Sequence, residues 1–436
     1  MATAVEIAPK PNHPAMKSNT TPNKSDQTER LRAAIAHSLP PAYNFEVEKT
    51  ITRLNQERAR AVCLQFPEGL LVWGEAIAAL LEEFTETVQR VVVLGDVTYG
   101  ACCVDDIKAV HLGCDFLVHY AHSCLVPIDA VNIKCLYVFV EIYLNPRRLA
   151  RTIKDIILLA TIQFSKCVHQ ACRELVEEFG SGVFIPQCEP LTAGETLGCT
   201  SPVFPAGCRT CVFVADGRFH VESAMIQNPE TRFYRYDPFT RRLVLEEYDH
   251  SLLFRLRNGV LRRVERAHTF VLILSSLGRQ GSVGLVEHAR VQVRKYRPTA
   301  TVLTVMLAEL VPSTLGALLQ NFDDPGRVCF VNVGCPRLAL DWGHEFTQAP
   351  FITTYEMQQV LATSVYAINT HPMDYFSAKG GDWSNYGRDG NRNGSIGHTS
   401  DKAAMRERLR QKWLQRKQQI AQNCRSQNLQ PGNQPG

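Results

Sequence analysis

Three of the fifteen cysteines stand apart by their neighbours. Cys102 ends the segment GDVTYGAC, Cys199 ends GETLGC, and Cys335 lies in VNVGCPR between a glycine and a proline. Thiolates are soft ligands that favour iron–sulfur clusters, zinc or copper(I). Three of them would leave one iron of a [4Fe–4S] cube without a protein ligand, whereas closed electron carriers use four. An open position is what a metal needs in order to act on a substrate. Cys103, beside Cys102, remains an alternate ligand on these grounds. Cys63, Cys135, Cys167, Cys172 and Cys329 fall in apolar strands or helix faces and read as core.

Other groups compete for attention. Cys208-Arg-Thr-Cys211 is a C-x-x-C, which binds zinc or cycles as a dithiol. No second pair completes a zinc set, and the following VFVA reads as strand core. Cys124 in AHSCLVP has His119 and His122 nearby, either a second metal site or packed side chains. The loop SSLGRQG (275–281) carries Gly278, Arg279, Gln280 and Gly281. Its glycines let backbone approach a ligand, Arg279 offers a bidentate fork for a carboxylate, and Gln280 adds a donor and an acceptor. A helix beginning just after it would favour an anion there.

These loops need a scaffold, and the apolar text supplies one. Val91–Leu94, Phe116–His119, Leu136–Val140, Val183–Ile185, Val271–Leu274, Val302–Met306 and Val328–Val333 read as buried strands. Between them run helical patterns. Asn145-Pro146 reads as a helix start, and Ser165 as the cap of a helix whose apolar face is Val168, Cys172, Leu175 and Phe179. Apolar strands alternating with helices predict parallel sheets covered on both faces, hence an α/β fold. The length of 436 residues suggests three such domains, 41–145, 146–255 and 256–378. Residues 1–40 read as a disordered arm, and 379–436 as a Gly/Asn-rich linker with a basic tail. In open parallel sheets ligands gather beyond the carboxyl ends of the strands. Each domain then offers one glycine-flanked cysteine to a centre of pseudo-threefold symmetry.

Composition narrows the function. Lys plus Arg (47) nearly balances Asp plus Glu (43), which argues against a nucleic-acid or membrane surface over the whole chain. Residues 401–425 hold eight Lys/Arg against two Asp/Glu, a solvated extension by default. Apolar runs such as Ile156 to Phe164 fall far short of the ~20 residues that span a bilayer. No secretory signal is visible at the start. A cytoplasmic location is expected, where thiols stay reduced and cysteines serve as core or ligands.

The segments QFPEGLL (65–71), GDVTYGACCVDD (95–106), LVHYAHSCLVP (117–127), GETLGCTSP (194–202), DGRFHVES (216–223), YRYDP (234–238), SLGRQGS (276–282) and CPRLALDWG (335–343) resemble one family. It is the diphthamide-synthesis family, in its eukaryotic form of 2-(3-amino-3-carboxypropyl)histidine synthase, first-subunit type. The resemblance implies three α/β domains around a central iron–sulfur site, with cluster cysteines at Cys102, Cys199 and Cys335. It also implies an unconventional radical transferase: a reduced [4Fe–4S] cluster cleaves S-adenosylmethionine, and the 3-amino-3-carboxypropyl group adds to a histidine of translation elongation factor 2. The implied partners are a related second subunit in a heterodimer, and a small metal-binding electron donor with its reductase. The C-x-x-x-C-x-x-C motif of conventional radical enzymes is absent from the sequence. Gly278 to Gly281 are expected to hold the methionine end of the co-substrate, with Asp341 a candidate for its ammonium or a helix cap. Two other readings are a supporting, electron-carrying subunit and a quinolinate-synthase-like enzyme. GETLGCTSP and DGRFH oppose the latter.

Overall fold

The computed structural model describes residues 4–6, 24–95, 100, 102–123, 125–126, 128–142, 156–179, 183–276, 278–364 and 366–385. The expected helix start at Asn145-Pro146, the thiol of Cys124 and the basic tail lie outside these residues.

The first unit runs β1 (Ala4–Glu6), α1 (Lys24–Ser38), β2 (Tyr43–Asn44), α2 (Val47–Glu57), β3 (Ala61–Gln65), α3 (Glu68–Leu71), α4 (Gly74–Phe84), β4 (Arg90–Leu94), α5 (Asp106–His111), β5 (Phe116–Tyr120), β6 (Lys134–Val138) and β7 (Glu141–Ile142). The second runs β8 (Ile156–Ala160), α6 (Ser165–Phe179), β9 (Val183–Phe184), β10 (Thr210–Val214), α7 (Phe219–Gln227), β11 (Arg232–Asp237) and β12 (Arg242–Glu246). The third runs α8 (His250–Val264), β13 (Thr269–Ser275), α9 (Val283–Tyr296), β14 (Thr301–Leu307), α10 (Pro312–Leu319), β15 (Val328–Val333), α11 (Pro336–Trp342), β16 (Phe351–Thr353) and α12 (Thr354–Gln358).

All seven strands expected from the text are present. β1, β2, β3, β7, β8, β10, β11, β12 and β16 come in addition. The sheet orders are β1-β4-β3-β5-β6, β12-β11-β10-β8-β9 and β14-β13-β15-β16. Number the parallel strands of each sheet along the chain, and all three share the order 2-1-3-4. β1 and β12 add antiparallel edges to the first two. The fold is thus three parallel-sheet α/β units of one topology, a repeat not claimed from the text. Both faces of the inner strands are covered: every residue of β8 and β15 is buried. α6 begins at Ser165, as expected, and buries Val168 and Leu175.

One expectation is corrected. Residues 24–38 are helix α1, not disordered chain. Leu31, Ala34 and Ile35, at spacings of three and four, pack into the core of the first unit. The polar remainder of the segment hides that stripe. No helix among the described residues is long and apolar enough to cross a membrane.

Two buried charged groups tie the units internally and to one another. Arg257 on α8 is fully buried and grips Glu356 of α12 through two N–H···O bonds of 2.7 and 2.6 Å. It also donates to the carbonyls of Ala339 and Phe351 at 2.9 Å each, which fixes α11 against β16. Arg257→Ala strands the Glu356 carboxylate, and a stability loss of about 3–5 kcal/mol is expected. A denaturant midpoint unchanged from wild type would show the pair to be dispensable.

Glu195, also buried, joins the first two units by accepting from Ser123 Oγ, while Thr192 donates to it through N and Oγ1 at 3.1 and 2.8 Å. Burial pushes its carboxyl up despite the Thr192 bonds. The folded state therefore holds this proton more tightly than the unfolded chain. Its contribution is full below the ordinary carboxylate range and is lost as pH rises through the raised folded value. Glu195→Gln should therefore raise Tm at pH 7, by a margin that shrinks as pH falls towards about 4. A margin independent of pH would contradict this.

Candidate metal centre

The backbone of each singled-out cysteine is pinned, that of Cys102 and Cys199 from the third unit and that of Cys335 from within its own. The carbonyl of Cys102 accepts from Arg279 N–H at 2.6 Å. Gly278, at φ +63°, lies so close that a Cβ would sit 2.5 Å from Cys103 Cα and 2.8 Å from the Cys102 oxygen. A Cβ on Gly281 would collide with the Val333 carbonyl. Gly278 is thus required by packing of the third unit onto the first, and Gly281 by packing of its loop against β15 within the third unit. Cys199 follows Gly198, whose Cα faces the Phe219 ring too closely for any side chain. Its carbonyl accepts from Tyr375 N–H at 3.2 Å. Cys335 precedes the first turn of α11, and its carbonyl accepts from Asn332 Nδ2 at 2.7 Å.

The three cysteines gather around one apolar cluster. Cys199 belongs to one apolar cluster with Leu125, Leu191, Tyr375 and Phe376, and Cys102 and Cys335 pack against it. Cys102 senses both of the others, and Cys199 and Cys335 sense each other. The Cys102 thiol is pushed well up, chiefly by its contact with Cys103 (Sγ···Sγ 3.8 Å) and by burial, with Cys199 and Cys335 adding to it. Cys199 is pushed well up by Cys335 and burial; Cys335 is lowered by Cys199 and by the N–H and charge of Arg337. Tyr375 is pushed well up by burial, then by Cys335, Cys199 and Cys102 together. Its buried hydroxyl has no hydrogen-bond partner among the described residues. Tyr375 therefore shares the neighbourhood of all three thiols, and nothing in the sequence reading pointed to it.

Arg337, in the first turn of α11, sets the geometry of two of these loops. Its side chain is 5 % exposed and donates to Phe219 O at 2.8 Å, Gly198 O at 3.5 Å, Glu222 Oε2 at 2.6 Å and both oxygens of Asp341 at 2.9 and 3.0 Å. It also lies 4.3 Å above the Phe219 ring. Asp341, considered above for an ammonium, is thus occupied by Arg337.

The remaining candidates divide. Cys103 is buried beside Cys102 and receives Gln280 Nε2 at 3.8 Å. Cys211 is fully buried in β10, and Cys208 packs against the same apolar cluster, a different one from that of Cys199. Both are free thiols. His119 bonds Gln65, and its ring lies 5.2 Å from that of His122. Arg279 pairs with buried Asp106 at 2.7 Å, but its buried Nε has no partner among the described residues. Two buried amide oxygens, Gln280 Oε1 and Asn332 Oδ1, are also unpartnered there. Both face Gly334, where a Cβ would meet them at 3.7 and 3.1 Å. Asn332 was not singled out from sequence, where it reads as one more residue of an apolar strand.

Among the described residues no three His, Cys, Asp or Glu side chains close tightly enough to hold a single metal ion. An iron–sulfur cube is a different demand, since its thiolates bind separate corners. Three soft donors on three loops, lined by apolar side chains and by few hydrogen-bonding groups, fit such a group in chemistry.

A family model for diphthamide synthesis proteins matches residues 66–370. The 2-(3-amino-3-carboxypropyl)histidine synthase subunit 1 of Dictyostelium discoideum is 40% identical over 389 residues, covering 86% of this chain and 79% of that one. The proteins of that name from Bos taurus and Homo sapiens are 43% and 42% identical over 382 residues, each covering 85% of this chain and 84% of the relative. A crystal structure of Dph2 from Pyrococcus horikoshii with a 4Fe-4S cluster superposes with a TM-score of 0.61 at 22% identity, covering 77% of this chain and 94% of that one. That last likeness is one of fold. Matched over most of its length in both comparisons of sequence, the chain belongs to the diphthamide synthesis protein family.

Proposed function

We propose that this chain performs the first step of diphthamide biosynthesis. A 3-amino-3-carboxypropyl group passes from S-adenosylmethionine to a histidine of translation elongation factor 2, and Cys102, Cys199 and Cys335 hold a [4Fe–4S] cluster. The observation that carries the reading is the gathering of three cysteines, one from each unit, around the apolar cluster that holds Tyr375. When bound, the cluster supplies the electron that breaks the bond between sulfur and the γ-carbon.

The protein's own part is to hold and orient. The methionine end of the co-substrate bears a carboxylate and an ammonium. Arg279 Nε–H is a buried donor without an acceptor; Gln280 Oε1 and Asn332 Oδ1 are buried acceptors without a donor. Together they suit that zwitterion, and they lie beside Cys103 and Cys335. Gly278 and Gly281 bring the loop close enough for this. Fixing one end of the molecule beside the electron source selects which of three carbon–sulfur bonds is cleaved. Tyr375 and the apolar cluster around Cys199 keep water from the site. In this reading the chain works in the cytoplasm with a second, related subunit, and receives electrons from a small metal-binding protein and its reductase.

Two measurements test the reading. Anaerobic reconstitution should give about four irons per chain. Cys102→Ala, Cys199→Ala and Cys335→Ala should each lose most of that iron, while Cys208→Ala and Cys211→Ala keep it. Full iron in all three first variants would mean that the ligands lie elsewhere. Incubation with the partner subunit, reductant, labelled S-adenosylmethionine and elongation factor 2 should carry label to a histidine. Iron without cleavage would favour a supporting, electron-carrying role instead. Arg279→Ala should weaken co-substrate binding at least tenfold with iron intact, and unchanged affinity would remove Arg279 from the site.

A further inference from the structure

Three histidines gather beside the thiol loops with no role assigned to them: His119 at the end of β5, His122 just after it, and His220 on α7. His119 is fully buried, and the other two are partly exposed. The His119 and His122 rings lie 5.2 Å apart, and His122 also senses the charge of His220. Burial lowers all three, His119 to about 3 and His220 to about 4, so they are neutral. Among the described residues no carboxylate figures in these shifts. Arg337, the residue that braces Cys199 and Cys335, acts on His220.

The tautomer of His119 follows from its neighbours. Gln65 Nε2 donates to Cys103 O at 2.6 Å, and Gln65 Oε1 accepts from Asp105 N–H at 3.2 Å. Flipping the amide would set oxygen against oxygen, so its orientation is fixed. His119 Nδ1 lies 2.8 Å from Oε1, which only accepts, so Nδ1 carries the proton. Nε2 is therefore a bare lone pair. It is buried and without a partner among the described residues, as is His122 Nδ1. An orphaned buried acceptor in a native protein calls for a ligand or water.

We propose that His119, with His122 and His220 as its wall, is the subsite for the acceptor imidazole, whose ring N–H donates to His119 Nε2. The required ligand is a neutral N–H donor. A cation would face three neutral imidazoles, with the nearby carboxylates Glu222 and Asp341 already taken by Arg337, which disfavours the ammonium and sulfonium of the co-substrate. Tyr137 already lies edge-on to His119, 5.4 Å between centroids, so ring-on-ring packing is the local mode of contact. A carboxylate here would hold a bound imidazole as imidazolium, whereas a bare nitrogen leaves it neutral and open to attack at carbon. Gln65 links this lone pair to the backbone of Cys103, so acceptor and thiols are held by one hydrogen-bonded unit. His119 is on this view a positioning residue, and the assignment rests on the function proposed above.

His119→Asn is the discriminating variant, because its side-chain N–H can keep the bond to Gln65 while Nε2 alone is lost. Iron content and reductive cleavage of S-adenosylmethionine should stay within twofold of wild type. Transfer to elongation factor 2 should fall at least tenfold, so that cleavage runs uncoupled. His119→Gln, which returns an acceptor near the Nε2 position, should recover part of the transfer. Independently of turnover, 15N-histidine spectra of the full chain should show a bare Nε2 that shifts when 4-methylimidazole is added, a response absent in His119→Asn. Transfer unchanged in His119→Asn overturns the subsite. So does weakened binding of S-adenosylmethionine, which would put its purine there. Absence of both cleavage and transfer in the wild-type complex would instead defeat the function itself.

Discussion

Arg337 directs its guanidinium across the boundary between the second and third units, and the candidate centre depends on where that cation sits. Removing a guanidinium from water is costly unless its N–H groups and charge are met. Here Glu222 and Asp341 meet the charge, two carbonyls take further N–H groups, and the Phe219 face covers the plane. One of those carbonyls belongs to Gly198, the residue before Cys199, and Arg337 itself lies two residues after Cys335. The two thiols are therefore set relative to one another by a single side chain. Gly198 must be glycine for the ring to lie where the cation needs it.

The same 2-1-3-4 order in three sheets explains why the loops face a common point. In such a sheet the connections leave on opposite sides of the first and third strands, and a crevice opens at their carboxyl ends. The cysteines do not occupy equivalent loops, however. Cys102 and Cys199 follow the second strand of their units, whereas Cys335 follows the third. In the third unit the loop after the first strand carries Gly278 to Gly281 and closes on Cys102. Reach to one centre, rather than repetition of a motif, governs where the thiols fall.

That distinction also sets how much could be read from the text. Strands buried on both faces appear as apolar runs, so β4, β5, β13 and β15 were legible, and so were the loops after them. β11 was not, because Arg232, Tyr234 and Arg235 break its apolar run, nor was β12, a short edge strand exposed from Arg242 to Leu245. Helix α1 was hidden because Leu31, Ala34 and Ile35 are thinly spread in a polar segment. The three thiols stood out by their glycine neighbours. Tyr375, Arg337 and Asn332 did not, since their importance lies in contacts with residues more than a hundred positions away or in a lone pair left without a partner.

The glycine-rich loop shows how one motif serves two physical purposes that sequence cannot separate. Gly278 and Gly281 are explained fully by close backbone packing against Cys102, Cys103 and Val333. Had the loop offered glycines alone, a ligand there would have no support. The case rests on other atoms: one buried donor on Arg279, and two buried acceptors on Gln280 and Asn332. A purely anionic ligand would leave both oxygens unmet and would crowd Asp106, which already holds Arg279. A purely cationic one would leave Arg279 Nε–H unmet. A group carrying both an anionic acceptor and a cationic donor would satisfy all three atoms, which is the ground for proposing an α-amino acid end in this corner.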